Sequence, residues 1–301
     1  IRWLTGFSGS HAWLVARHQE LFLLTDGRYV EQARAEIESH CAVVEVIECR
    51  TLAAMQKATE TLTQGSATVQ FQDSQLTYQN FLALQAELSS TLIPCDSSIK
   101  FLRRQKDDIE IQLIGSACLI ADHALQQCVH LLSAGVTEND VRDELEYAMR
   151  RLGADGPSYD TIVASGPTNS ARPHHHPTGT KIENGHTVII DVGALVAGYH
   201  SDMTRSFVVG PMSSEQAEWY EAVRAAQQAG VEACRPGVQV SEIDAACRRV
   251  LSQAGLEQYF THGTGHGVGL VIHEEPFINS SGQAILQPGD VVTVEPGLYR
   301  G

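Results

Sequence analysis

The chain has 301 residues and a formal net charge of −15 at pH 7, with no basic run along it. That balance argues against nucleic acid and anionic membrane surfaces as main partners. With 43% hydrophobic residues the composition is that of a globular protein, long enough for one or two domains with a sizeable core.

Residues 1–102 read as alternating strands and helices, an α/β pattern. The chain opens in an expected strand at Ile1. Residues 12–16 and 21–25 are strand-like with a polar turn between them, and Asp26-Gly27 closes the second. Residues 29–37 have helical composition, 68–71 form a short strand, and Ile93-Pro94, Asp96 and Ser97-Ser98 read as a connector. The character changes near Lys106. Residues 106–133 form a long helix pattern with Ile109, Leu113, Ile120 and Leu125 among its apolar positions. Thr137 caps the next helix with Asp140 three residues on, and Gly153 ends it. Helices at 214–234 and 241–254 follow, with Ser241 as N-cap and Gly255 just past the end. Strands are expected at 187–195, 200–209 and 290–295, so 103–301 reads as an α+β domain.

The seven cysteines (Cys41, Cys49, Cys95, Cys118, Cys128, Cys234 and Cys247) are odd in number and show no CxxC spacing. A disulfide framework or zinc–cysteine site is therefore not expected, and a cytoplasmic location is the simpler inference. No apolar stretch is long enough to span a bilayer and no signal peptide is visible. With no initiator Met, and on the family pattern given below, both ends read as cut, which leaves open a signal preceding Ile1.

An internal echo links two strands of the second domain. ENGHTVIIDVG (183–193) and QPGDVVTVEPG (287–297) each place a Gly turn, an apolar strand, a carboxylate six residues after that Gly, and a further Gly two residues on. The pairs are Gly185/Gly289, Asp191/Glu295 and Gly193/Gly297. Two related halves would each deliver a carboxylate to a shared centre.

Within IIDVGALVAGYHSDMTR (189–205) the arms of a hairpin carry Asp191 and Asp202. If the arms fold between Val196 and Ala197 the two aspartates lie opposite each other, a register that a bulge at Gly198 would shift. Opposed like charges destabilise a sheet, and a carboxylate leaving an apolar strand is desolvated. A cation between them is the simplest compensation, and two carboxylates can bridge two ions.

A second cluster, HGTGHGVGLVIHEEP, holds His262, His266 and His273 among glycines that disfavour a helix and allow close backbone approach. Glu295 leaves the apolar run Val291–Val294 just before Pro296, which favours an extended exit. One imidazole with several carboxylates suits Mn²⁺, Co²⁺ or Zn²⁺. Arg172-Pro173-His174-His175-His176-Pro177 is a loop by its prolines. Its three histidines read either as solvated, as an adventitious metal binder, or, shortly before the Asp191 strand, as the source of one active-site group.

Together DVGALVAGYHSDMTR, HGTGHGVGLVIHEEP and VTVEPGLY resemble the three signatures of the pita-bread metallopeptidases, most closely the Xaa-Pro aminopeptidases and prolidases. LTGFSGS (4–10) and TDGRYVEQA (25–33) are similar to the N-terminal domain of those enzymes, so the likeness covers essentially the whole chain. It implies a creatinase/aminopeptidase-like α+β domain with pseudo-two-fold halves over 103–301, preceded by a smaller α/β domain over 1–102. By this resemblance Asp191, Asp202, His266 and Glu295 are metal ligands. His174, in the segment beginning PSYDTIVASG, His262 and His273 match the family's active-site histidines. The family's fifth ligand, a second glutamate after the EPG segment, falls beyond Gly301.

The implied chemistry uses two divalent ions, Mn²⁺ first, with Co²⁺ or Zn²⁺ as alternatives. Glu295 shuttles a proton, His174 and His273 hydrogen-bond the substrate, and His262 shapes the proline pocket. Thr204 shares a strand face with Asp202 and is a candidate for orienting it. The implied partner is a peptide with proline in second position, and the family's habit implies a homodimer. Short loops and a compact N-terminal domain favour an Xaa-Pro aminopeptidase over an Xaa-Pro dipeptidase (prolidase). A non-catalytic binding protein or a creatinase-like hydrolase on the same fold is disfavoured, because the four ligands that the sequence can show are present.

Overall fold

The computed structural model describes residues 1–40 and 42–300. Cys41, one of the seven cysteines, and Gly301, where the sequence ends, lie outside the described residues, as do the side chains of Asp96 and Ser97. The chain forms two compact units, Ile1–Lys100 and Phe101–Gly301.

In the first unit the opening residues form the short helix Arg2–Thr5 where a strand was expected, because Ile1 O accepts from the amides of Leu4 and Thr5. Ala12–Arg17 pairs antiparallel with Glu20–Thr25, which pairs parallel with Glu45–Glu48. Successive residues of a strand face opposite ways. Leu23 accordingly packs with Phe7 and with Ala33 and Ile37 of the helix Val30–Ser39, while Leu24 packs with Met55 of the helix Leu52–Thr63. Helices thus cover both faces of one small sheet. A second parallel pair joins Thr68–Phe71 to Thr91–Pro94. The expected connector at 93–98 is therefore the end of a strand and the start of the helix Asp96–Arg104. Pro94 closes the last rung, a sheet position where a missing N–H is tolerated.

The second unit is built around the strand Thr187–Val192. It lies between Ile162–Ser165 and Met203–Val208, antiparallel to both. Its buried face, Val188, Ile190 and Val192, meets Ala117, Ala121 and Ala124 of the helix Asp108–Cys128. Val141, Leu145 and Met149 of the helix Glu138–Arg151 complete that core. Both helices open with capping boxes, Asp107 with Glu110 and Thr137 with Asp140, and the second is the one read from sequence. The 106–133 helix ends earlier than expected, its last turn becoming the 3₁₀ segment Val129–Leu131. The 187–195 strand divides at Gly193, and its continuation Ala194–Val196 joins Gly156–Pro157 and Tyr199–His200 in another sheet.

The helices Ser214–Ala233 and Val240–Gln253 pack through Ala226, Cys247 and Leu251 against Phe260. The second begins at Val240 with Gln239 in the cap position, not Ser241, because the Val240 amide is taken by Ala284 O. The segment 290–295 is not a regular strand. It touches the segment 264–268 through one bridge, Gly267↔Val292, and through amide bonds from Val268 to Val291 O, Thr293 to His266 O and Glu295 to Thr264 O. The irregular register of Gly265–Gly267 against Glu274–Ile278 breaks the ladder there.

The internal echo is present in the backbone. Gly135 N bonds to Ile182 O as Gly237 N bonds to Leu286 O, and Ile182 N bonds to Val136 O as Leu286 N bonds to Val238 O. Glu138 N bonds to Thr180 O as Val240 N bonds to Ala284 O. Among the described residues no helix is long and apolar enough to cross a membrane.

Candidate metal centre

The hairpin that carries the aspartates has a register different from the one expected. Asp191 stands opposite Thr204, not Asp202. The turn explains the shift. Ala197 (φ 48°) and Gly198 (φ 82°) are both left-handed, the conformation of a two-residue type I′ turn, and they pair Val196 with Tyr199. The fold axis lies between Ala197 and Gly198, one residue beyond the expected point, so every partner moves by two. Thr204 consequently stands opposite Asp191, whose carboxyl it helps to lower, and not opposite Asp202, the carboxylate it was expected to orient.

Tyr159 links the two aspartates. Its hydroxyl lies 2.6 Å from Asp191 Oδ1 and 2.8 Å from Asp202 Oδ1. Burial, and after it the charge of Asp202, pushes the Asp191 carboxyl up to about 7, with the Tyr159 bond acting the other way. Burial and both aspartates hold the Tyr159 phenol well above its ordinary value.

His266 joins Asp202 to Glu295. Its Nε2 is 3.3 Å from Asp202 Oδ2 and 3.2 Å from Glu295 Oε1. Burial works to depress this imidazole, but its bonds to Asp202 and Glu295 outweigh that and push it up to about 10. Nδ1 sits 3.0 Å from Gly267 O. A proton on Nδ1 frees Nε2 to act as a ligand, the usual support for a metal-binding histidine. Thr293 ties the histidine to the glutamate, since its Oγ1 accepts from the His266 amide at 3.0 Å and donates to Glu295 Oε1 at 2.8 Å. The two segments meet closely because residue 265 is glycine; a Cβ there would lie 2.1 Å from Thr293 O.

Ligand atoms of Asp202, His266 and Glu295 all lie within 4.8 Å of one another. Two carboxylates and one imidazole at that spacing, with a third carboxylate tied in through Tyr159, form a donor set of oxygen and nitrogen suited to divalent ions. Asp191 lies outside that tightest group of three.

The other histidines are distributed around this centre. His273 stands edge-on to His266 with ring centroids 4.4 Å apart, and it is depressed by burial and then by the charge of His266. The exposed His174 is close enough for its charge to act on His273. His262 is set apart, edge-on to Phe260 at 5.0 Å and tilted toward Tyr299 at 5.6 Å. Its Nδ1 is 2.8 Å from Gly263 O, and its buried Nε2 has no hydrogen-bond partner among the described residues. Arg248 supports this corner, donating to His262 O and Asp244 while its guanidinium covers the Phe260 ring.

Two tyrosines are absent from the sequence-read set. Tyr159 holds the aspartate pair, and Tyr299 is pushed up to about 12 by burial and then by Asp191 and Glu295. Both fall inside segments that carried the family likeness, PSYDTIVASG and VTVEPGLY, and that position was the available signal.

Comparison with known proteins agrees with this geometry. Residues 112–301 match metallopeptidase family M24, and residues 1–105 match the creatinase/prolidase N-terminal domain. An Xaa-Pro dipeptidase of Pyrococcus furiosus is 44% identical over 204 residues, 68% of this chain and 58% of that enzyme. The chain thus spans a little over half the length of that curated relative. Among solved structures, an Xaa-Pro dipeptidase from Bacillus anthracis superimposes with a TM-score of 0.93 at 35% identity, covering 99% of this chain and 83% of the other. An X-Pro aminopeptidase from Thermotoga maritima gives 0.90 at 32% identity, covering 99% and 84%. The chain belongs to metallopeptidase family M24, with the pita-bread fold of its relatives and a creatinase-type N-terminal domain. It is a hydrolase of peptide bonds, in a family that works with divalent metal ions.

Proposed function

We propose that this protein is an Xaa-Pro dipeptidase, releasing the first residue from dipeptides that end in proline. The convergence of Asp202, His266 and Glu295 at metal-binding distance carries the reading. The names of the two dipeptidases above support the substrate and weigh against the aminopeptidase preferred from sequence. The Thermotoga maritima enzyme, nearly as similar in structure, keeps the aminopeptidase as the second reading.

In this reading Asp191, Asp202, His266 and Glu295 would hold two divalent ions, Mn²⁺ in the first instance and Co²⁺ or Zn²⁺ as alternatives. When bound, such ions supply Lewis acidity and an activated water near neutral pH. The chain's own residues do the rest. Glu295 takes up at its carboxylate a proton from the attacking water, whose oxygen bonds to the carbonyl carbon, and delivers it to the proline nitrogen as the C–N bond breaks. His174 and His273 donate to the substrate carbonyl oxygen, where negative charge develops. His262, with Phe260 and Tyr299, forms an apolar wall for the proline ring. We further take the enzyme to be cytoplasmic and homodimeric; sedimentation of the purified protein tests the second point.

The test uses the full-length protein, stripped of metal and refilled with Mn²⁺, offered Ala-Pro and Ala-Pro-Ala. Cleavage of the dipeptide alone, lost in Asp202→Ala, is the expected result. Cleavage of the tripeptide turns the assignment to an aminopeptidase. No metal-dependent cleavage of either overturns both.

A further inference from the structure

Glu138 is a buried charged side chain that the chemistry above does not use. It is fully buried, at 0% exposure. Oε1 accepts from the amide of Ser165 at 2.8 Å, from Ser165 Oγ at 2.9 Å and from Asn169 Nδ2 at 2.9 Å. Oε2 accepts from the amide of Thr178 at 3.0 Å, from Thr178 Oγ1 at 2.9 Å and from His175 Nε2 at 2.9 Å. The donors come from both ends of the loop 165–178, and one of them is the neighbour of His174. His175 is buried while His174 and His176 on either side are exposed.

We propose that Glu138 is a positioning residue which, through His175, holds His174 toward the substrate; this rests on the role given to His174 above.

The protein contains its own control. The residue equivalent to Glu138 in the second half is Val240, which makes the same amide bond to the returning chain. Val240 is also fully buried, packed with Ile243, Ile278 and Leu286. The fold therefore accepts an apolar side chain at this place. Burying a carboxylate there costs desolvation that only a full set of donors offsets, so the loop, not the helix, accounts for the charge.

The loop that carries His273 is also anchored next to its histidine, by residues that precede the first long helix of the unit. His273 is followed by Glu274, which pairs with the buried Lys106 and with Arg103 at 2.9 Å. In each case the residue after a site histidine is tied to a buried polar partner, His175 to Glu138 and Glu274 to Lys106.

The experiment is a double-mutant cycle on the Mn²⁺-loaded full-length protein, with Ala-Pro and Ala-Pro-Ala as substrates. Glu138→Val, which installs the residue of the other half, should lower kcat by about 100-fold, the penalty of a misplaced reacting group. Mn²⁺ affinity measured by calorimetry should be unchanged, because no donor of the metal set lies on the loop. His174→Ala should lower kcat comparably, and the double variant should fall no further than the larger single effect. Multiplicative losses, or an unchanged kcat in Glu138→Val beside an impaired His174→Ala, overturn the proposal. A silent His174→Ala instead overturns the role of His174 itself, and the proposal with it. Should Glu138→Val fail to fold, His175→Ala and Asn169→Ala each remove one bond to the same carboxylate and carry the same cycle; a loss confined to kcat and non-additive with His174→Ala supports the proposal.

Discussion

The Tyr159 hydroxyl lies 2.6 Å from Asp191 Oδ1, and the same oxygen lies 2.8 Å from Asp202 Oδ1. One phenol thus spans two aspartates that the sheet register does not pair. A hydroxyl has a single proton to give, so both contacts are hydrogen bonds only when that proton is shared or one carboxyl carries its own. Burial first, and then the charge of Asp202, raises Asp191 to about 7, while the Tyr159 bond works against that rise.

Tyr159→Phe removes this link without changing the shape of the ring. Partners that orient metal ligands typically contribute about 10–100-fold in affinity or activity. Mn²⁺ affinity measured by calorimetry should fall by a factor in that range, with the circular dichroism spectrum unchanged.

Metal binding should also be visible as stability. A ligand that binds only the folded state at one hundred times its dissociation constant adds about 2.7 kcal/mol. Thermal unfolding of the metal-stripped protein should therefore move upward on titration with Mn²⁺, and Asp202→Ala and His266→Ala should abolish the shift.

Gly265 is where two backbones meet, the added Cβ falling 2.1 Å from Thr293 O. Gly265→Ala must push apart His266 and Thr293, which is bonded to Glu295. Overpacking of this kind costs about 1–3 kcal/mol. A lower urea midpoint together with weaker Mn²⁺ binding is expected; an unchanged midpoint would show that the contact relaxes freely.

Glu138 gives a pH dependence of defined sign. Burial acts to raise its carboxyl, but the bonds from His175, Asn169 and Ser165 prevail and hold it below its usual 4.5. The unfolded chain then binds the proton more readily than the folded one. The stability contributed by the ionised group is fully present above pH 4.5 and is lost as the pH falls through the depressed folded value. In urea unfolding, the stability difference between wild type and Glu138→Gln should be largest near neutral pH and shrink as the pH falls below 4.5. A difference independent of pH would contradict this.

Much of the secondary structure is readable one segment at a time. The Thr137–Asp140 cap, the strand Thr68–Phe71 and the helices at 214–234 and 241–254 each depend on side chains near them in sequence, and they appear within a residue or two of expectation. The failures come from partners distant in sequence. The Ile93–Ser98 stretch carries turn-type residues, yet parallel pairing of Gln70 with Ile93 makes its first part a strand. Ser241 looks like a cap, but the Val240 amide is claimed from outside the helix.

The sequence by itself determined which chemical groups are available: the carboxylates Asp191, Asp202 and Glu295, the histidines of the glycine-rich segment, the repeat that pairs Asp191 with Glu295, and hence the family. The tertiary structure decided how they meet. The hairpin register turned on Ala197 adopting a positive φ, a conformation that non-glycine residues seldom take and that residue type does not announce. Tyr159 and Glu138 read locally as an ordinary aromatic and an ordinary first-turn acid. They differ from other residues of their kind because donors and acceptors from other segments close around them, and such contacts depend on packing through space that no local pattern encodes.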